Sequence, residues 1–195
     1  MTTPSSDQDK TKRDPQGRRD TIVKAAVELL VKHGPSAITH RKVAARAEVP
    51  LGSTTYYFAS LEQLIEEALG RLADEIDQEL SNVKLALAES DGDLMILVDI
   101  FHDYLHNRAQ VQADAALYTA GAHRAELHPL ALRWFDGLVG LLSGYTDRNT
   151  ALAIAVFSDG AFVHAMLHEQ PLEAAMLRST LAAMIGRGQD HGGRS

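Results

Sequence analysis

The chain contains no cysteine. Disulfides, thiolate nucleophiles and thiolate metal sites are excluded together. No apolar run reaches the roughly 18–20 residues that span a bilayer, so no membrane-crossing segment and no membrane partner are expected. Residues 1–12 hold no apolar stretch of the kind a secretory signal needs, which makes a cytoplasmic location the expectation. Catalytic signatures are missing too: there is no nucleophile elbow, no phosphate-binding glycine loop and no HExxH. Neither an enzyme nor a cofactor is expected.

What is present suits a folded protein that handles charge unevenly. At 195 residues with 45% hydrophobic content, the chain can bury a core of one or two domains. Its formal charge of −7 hides an asymmetry. Residues 1–60 carry 10 lysines and arginines against 6 acidic residues, leaving 9 against 20 from residue 61 onward. A basic end on an acidic body fits phosphate binding at that end.

Periodicity is helical throughout. Five prolines (Pro15, Pro35, Pro50, Pro129 and Pro171) stand at or near helix starts, where a missing N–H costs little. Residues 1–13 are polar and unpatterned, and are expected to be disordered. Asp14-Pro15 opens a helix to about His33, closed by Gly34. Thr39 caps a second helix to Ala47, Glu48-Val49-Pro50 turns, and a short third runs over 51–57. Ser60-Leu61-Glu62-Gln63 reads as a capping box for a long fourth helix to about residue 88. Five more are expected near 94–107, 110–124, 129–143, 147–169 and 172–187, with a disordered tail over 188–195. The predicted fold class is all-α with nine helices: a helix-turn-helix domain over 14–60 and a body over 61–187.

The segment 39–60 carries the chemistry. Two short helices on a tight turn place the second where it can enter a DNA major groove. Thr39, His40, Arg41 and Lys42 stand at a helix start, suited to phosphate, and Arg41 can also reach guanine O6 and N7. Ser53, Thr54 and Thr55 are expected on the outer face of the short helix, and Tyr56 and Tyr57 can lay rings on sugars and donate O–H to phosphate. Lys10, Lys12, Arg13, Arg18 and Arg19 form a candidate arm for the backbone or minor groove.

With these residues in view, 18–70 resembles the DNA-binding domain of the tetracycline-repressor family. The matching pieces are Ile22-x2-Ala25-Ala26-x2-Leu29, His33-Gly34, Thr39-x3-Val43-Ala44-x2-Ala47, Val49-x2-Gly52, Tyr56-Tyr57-Phe58 and Ser60-x3-Leu64. The resemblance implies a homodimer on a near-palindromic operator, usually as a repressor. Three positions depart from the family pattern: Glu48 for a turn glycine, Thr55 for a tyrosine and Leu61 for a lysine. The last two of those family residues typically meet phosphate.

In the body, 147–169 is apolar nearly all round, and such a helix must be covered on both sides. A partner subunit is the expected second cover, with 172–187 joining the same interface. Asp159 interrupts this helix. It suits a cationic ligand, a pairing with Arg124 or Arg133, or solvent at a dimer edge. His102, Tyr104, Tyr118, His123, Trp134 and Phe162 are the other candidates for a small-molecule effector pocket. Asp99, His102 and His106 share a helical face, and His164 and His168 are spaced i, i+4. That spacing can chelate a metal, so a helical metal-binding module or enzyme using Asp99, His102 and His106 is the rival reading from another class, with a solvated polar face preferred and no metal expected. An activator or a ligand-independent regulator is the alternative that keeps the DNA-binding head.

Overall fold

The computed structural model describes residues 14–168 and 170–192, the last six as helix backbone. Residues 1–13, with Lys10, Lys12 and Arg13 of the predicted arm, lie outside the described residues, as do 193–195. Among the described residues there are ten α-helices and no strand. The chain forms two compact units that divide between Arg71 and Leu72. The division falls within α4 (Leu61–Glu89), not at its start. This helix carries an apolar stripe along its length: Leu64 and Ala68 are buried in the first unit, Leu72, Ile76 and Val83 in the second.

The N-terminal unit is assembled by capped helices. Asp14 accepts from the Gly17 N–H at 2.9 Å and starts α1 (Pro15–His33). Gly34 ends it at φ 73°, a conformation that glycine takes without penalty. Ile22, Val23, Ala26 and Leu30 bury one face of α1. After a 3-10 turn at Pro35–Ala37, Thr39 Oγ1 accepts from the Lys42 N–H at 3.2 Å and caps α2 (His40–Arg46). α3 (Leu51–Tyr57) packs on α2, which packs on α1. At the start of α4, Ser60 Oγ accepts from the Gln63 N–H and Gln63 Oε1 accepts from the Ala59 N–H.

The turn between α2 and α3 holds a local cost. Glu48 adopts φ 53°, where a Cβ crowds the following carbonyl. Glu48→Gly is expected to raise unfolding stability by about 1 kcal/mol, read as a higher urea midpoint at unchanged slope. No gain would mean that the surrounding turn already offsets the strain.

The body comprises the rest of α4 with α5 (Leu97–His106), α6 (Arg108–His123), α7 (His128–Ala131), α8 (Arg133–Leu142), α9 (Arg148–Leu167) and α10 (Ala174–Gly192). Its core gathers Val83, Leu87, Leu97, Phe101, Leu105, Leu138, Leu142, Ile154, Leu177 and Leu181. Two expectations are corrected here. The single helix predicted over 129–143 is divided by Leu132, at φ −90° and ψ 0°, which makes ten helices of nine. No proline or glycine marks that break. The last helix runs to Gly192, so 188–192 is helical rather than tail.

α9 has two faces. Ala151, Ile154, Ala155, Ser158, Ala161, Phe162 and Ala165 are buried in the body. Leu152, Val156, Val163 and Leu167 are exposed, Val156 by 57% and Leu167 by 71%. They fall at steps of four, seven and four and so form one stripe. With 20 residues and a mean hydropathy of 1.6 over its apolar window, α9 is long and apolar enough to cross a membrane by length and composition. This corrects the expectation that no segment would be. The helix reaches that mark because both of its faces are apolar, and one of them is spent on the body core.

Candidate nucleic-acid interface and ligand cavity

On α3, burial decides which side chains can meet a partner. Thr55 and Tyr56 are exposed, Tyr56 by 81%, while Ser53 and Tyr57 are half-buried. Thr54 is fully buried and its hydroxyl donates to the Leu51 carbonyl at 2.8 Å. Its placement on the outer face is therefore corrected. It lies on the α3 side shared with Leu51 and Phe58, and its hydroxyl is already satisfied inside the fold. Tyr57 holds Tyr56 edge to face, with ring centroids 5.0 Å apart. This contact stiffens an exposed aromatic without covering it.

On α2, Thr39, Arg41 and Lys42 are exposed and His40 is half-buried. The Lys42 ammonium donates to the Ala37 carbonyl at 2.8 Å, closing the 3-10 turn onto the helix. Arg19, assigned to the arm, is an internal strut. It forms a two-pronged ion pair with Glu67 and lays its guanidinium 5.1 Å from the Phe58 ring centroid. Phe58 is buried beneath it, and the ion pair and stack remove Arg19 from the set of side chains reaching outward. Arg18 is half-buried on the same turn.

Within the body lies a cavity with about 20 Å³ of space for a water's centre, room for one or two waters. Tyr104, Tyr118, Trp134, Asp159 and Phe162 line it, joined by Ile76, Phe101, Leu105, Asp114, Ser158 and Ala161. The polar groups are paired off. Tyr104 donates to Asp114 Oδ2 at 2.6 Å, and Tyr118 donates to Asp159 Oδ1 at 2.7 Å. Gln110 donates to the other Asp114 oxygen at 3.4 Å, and the Trp134 indole N–H to Ser158 Oγ at 3.4 Å. Tyr104 lies parallel to Trp134 within 10°, with centroids 6.3 Å apart. Asp159 thus pairs with a phenol, not with Arg124 or Arg133. Arg124 pairs with Glu126, and Arg133 with Asp74 and Asp77.

Among the described residues, no lysine, arginine or histidine lines this cavity. Two carboxylates in an apolar surround therefore resist ionisation. Burial pushes the Asp114 carboxyl up to about 6, against the hydrogen bonds from Tyr104 and Gln110, with Glu75 adding to the rise. Burial likewise raises Asp159, partly offset by Tyr118. Both phenols are raised as well, chiefly by burial, and keep their protons.

The raised Asp114 makes a signed prediction. Its fold-bound proton stabilises the native state below the ordinary aspartate range, and that contribution is lost as pH rises toward about 6. Asp114→Asn cannot ionise, so its melting temperature is expected to gain on wild type between about pH 4 and pH 7. Calorimetric scans of both proteins across that range check it. A constant difference would remove the burial argument.

The fold has counterparts among known proteins. Residues 22–68 match the family described as bacterial regulatory proteins, tetR family. A TetR-family member from Streptomyces coelicolor A3 is 34% identical over 86% of this chain and 98% of its own, with a TM-score of 0.75. The chain belongs to the tetracycline-repressor family. The multidrug binding protein EbrR, in its ethidium complex, is 34% identical over 86% of this chain and 98% of its own, with a TM-score of 0.73. EbrR also matches in complexes with proflavin and malachite green. The HTH-type transcriptional repressor KstR of Mycolicibacterium smegmatis is 38% identical over 69 residues, 35% of this chain. That match spans about a third of KstR, 34% of its length. The chain is a transcriptional regulator with a DNA-binding helix-turn-helix, and its relatives are regulators, not enzymes.

In this tetracycline-repressor fold two of the sequence candidates lie outside the cavity lining, His102 and His123. His123 is exposed. His102 is half-buried beside His106, with its Nδ1 3.6 Å from Asp103, away from the cavity lining. The rival metal face is not assembled either: Asp99 lies 4.0 Å from Arg178, and His106 Nδ1 is 2.7 Å from the His102 carbonyl. Among the described residues, no group of three or more His, Asp or Glu is placed to hold a metal ion. Asp114 was missed in the sequence. Its only signal there is a lone acid in the run Ala113-Asp114-Ala115-Ala116-Leu117.

Proposed function

We propose that the protein is a homodimeric repressor, released from a palindromic operator when a flat aromatic cation enters the body cavity. The observation that carries the effector class is the cavity lining among the described residues: one buried and one half-buried carboxylate, five aromatic side chains and no basic side chain. An anion would meet unscreened acid there, and a neutral ligand would leave both acids uncompensated. A cation supplies the missing charge, and the rings add cation–π and stacking contacts. The dyes bound by EbrR, at 34% identity in the ethidium complex, support the same class. At about 20 Å³ the cavity must widen to admit such a ligand, so binding favours a different body conformation. That difference is the source of allosteric coupling.

DNA contact is assigned to Thr39, His40, Arg41, Lys42, Ser53, Thr55, Tyr56 and Tyr57. Dimerisation is assigned to the exposed stripe of α9, with Ala175, Met176 and Ala182 of α10. The test uses DNA from upstream of the protein's own gene, in gel-shift titrations at low salt, with and without ethidium. Retardation of that DNA, weakened by ethidium, is the expected result. A protein that shifts no such DNA at low salt is not its regulator, and a shift indifferent to ethidium removes the effector reading.

A further inference from the structure

We infer that His164 and His168, at the end of α9, form a chelating pair for a borderline divalent metal ion of the Ni²⁺, Cu²⁺ and Zn²⁺ class. Neither histidine lines the effector cavity, and the site does not depend on it.

A spacing of i, i+4 puts two side chains on one helical face, the arrangement by which a helix offers two imidazoles to one ion. The fold brings this pair together: the rings lie within 13° of parallel, with centroids 4.1 Å apart. His168 follows the last turn of α9 at φ −107° and ψ 154°, so helix geometry alone does not place it. Two contacts do. Its N–H donates to the His164 carbonyl at 2.9 Å, and Arg108 of α6 donates to the His168 carbonyl at 3.1 Å and the Ala165 carbonyl at 3.4 Å. The backbone under both rings is thus held before an ion arrives, which lowers the ordering cost of chelation.

His164 Nδ1 is buried and has no hydrogen-bond partner among the described residues. A buried nitrogen left so is costly, and its lone pair is what a metal ion takes. His168 is exposed, so its ring is free to turn about χ2 and aim a nitrogen at the same ion. Two bonds of about 2.0–2.1 Å reach between rings this close. Both rings line an open groove of about 530 Å³ together with Leu172, Glu173 and Met176, wide enough for an ion and its waters. Glu173 adds negative charge to that groove. Among the described residues no third protein ligand is placed there, so water completes the shell and the ion is exchangeable. Imidazole ligands select Ni²⁺, Cu²⁺ and Zn²⁺ over Mg²⁺ and Ca²⁺, which prefer oxygen. The other close pair, His102 and His106, differs: His106 Nδ1 already lies 2.7 Å from the His102 carbonyl.

Titration calorimetry of the untagged, chelator-treated full chain with Ni²⁺ tests the site. Binding of a single Ni²⁺ per chain in the micromolar range is expected, tighter for Cu²⁺ and absent for Mg²⁺. His164→Gln and His168→Gln are each expected to weaken Ni²⁺ binding by about tenfold or more, whereas His106→Gln binds as wild type does. Circular dichroism checks that each variant is folded. In the wild-type protein, nitrogen NMR during a Zn²⁺ titration is expected to shift the imidazole signals of His164 and His168 first, a readout that needs no substitution. Ni²⁺ binding that survives both His164→Gln and His168→Gln, or Zn²⁺ shifts confined to other histidines, would overturn the assignment. So would the absence of binding up to millimolar Ni²⁺.

Discussion

Val156→Glu is expected to give a folded monomer with operator affinity reduced roughly 100-fold or more. Val156 is 57% exposed on the single chain, so a carboxylate there costs the isolated fold little. In a two-fold assembly the same residue occurs once on each partner of the interface. The variant would bury two uncompensated charges, each at a cost of several kcal/mol. A monomer contacts only one half-site, so lost pairing also removes half of the DNA contacts. Light scattering coupled to size exclusion reads the mass, circular dichroism the fold and gel shift the affinity. A variant that stays dimeric would place the interface elsewhere on the body.

Arg41→Ala combined with Tyr56→Ala is expected to weaken operator binding about 100-fold at moderate salt. The estimate takes 1–3 kcal/mol for a guanidinium on base or phosphate and a similar loss for the aromatic contact. Both side chains are exposed, Tyr56 by 81%, and neither contributes to the buried core, so stability should hold. The dependence of binding on salt separates their roles. Loss of a phosphate contact lowers the slope of log affinity against log salt by about 1 per half-site. Removing Tyr56 alone should lower affinity and leave that slope nearly unchanged if its ring packs on sugar. Wild-type affinity from the double variant would exclude this face from DNA contact.

Much of the fold could be read from local signals. Asp14, Thr39 and Ser60 each accept from a backbone N–H at the helix start where a cap was expected. Gly34 stops α1 at a positive φ, and α3 spans the predicted 51–57. Such signals are legible because a cap or stop acts within a few residues of itself. The break at Leu132 was not, because no proline or glycine sits at that position to mark it.

The cavity was half legible. Tyr104, Tyr118, Trp134, Asp159 and Phe162 come together in it, whereas His102 and His123 do not. A polar or aromatic residue on an apolar helix is visible in one dimension, but the direction it faces is set by its neighbours. Asp114 shows the converse. Its burial and its pairing with Tyr104 depend on α5 and α6 folding back on each other.

By itself the sequence determined the helical class, the capped ends of the N-terminal helices, the helix-turn-helix and the family, because periodicity, caps and turn residues act locally. Only the tertiary structure decided that Thr54 faces inward, that Arg19 is locked to Glu67 across 48 residues, and that Tyr118 meets Asp159 across 41. Those pairings join side chains far apart in the chain, and the cost of burying a charge or a hydroxyl is set by what the fold places beside it.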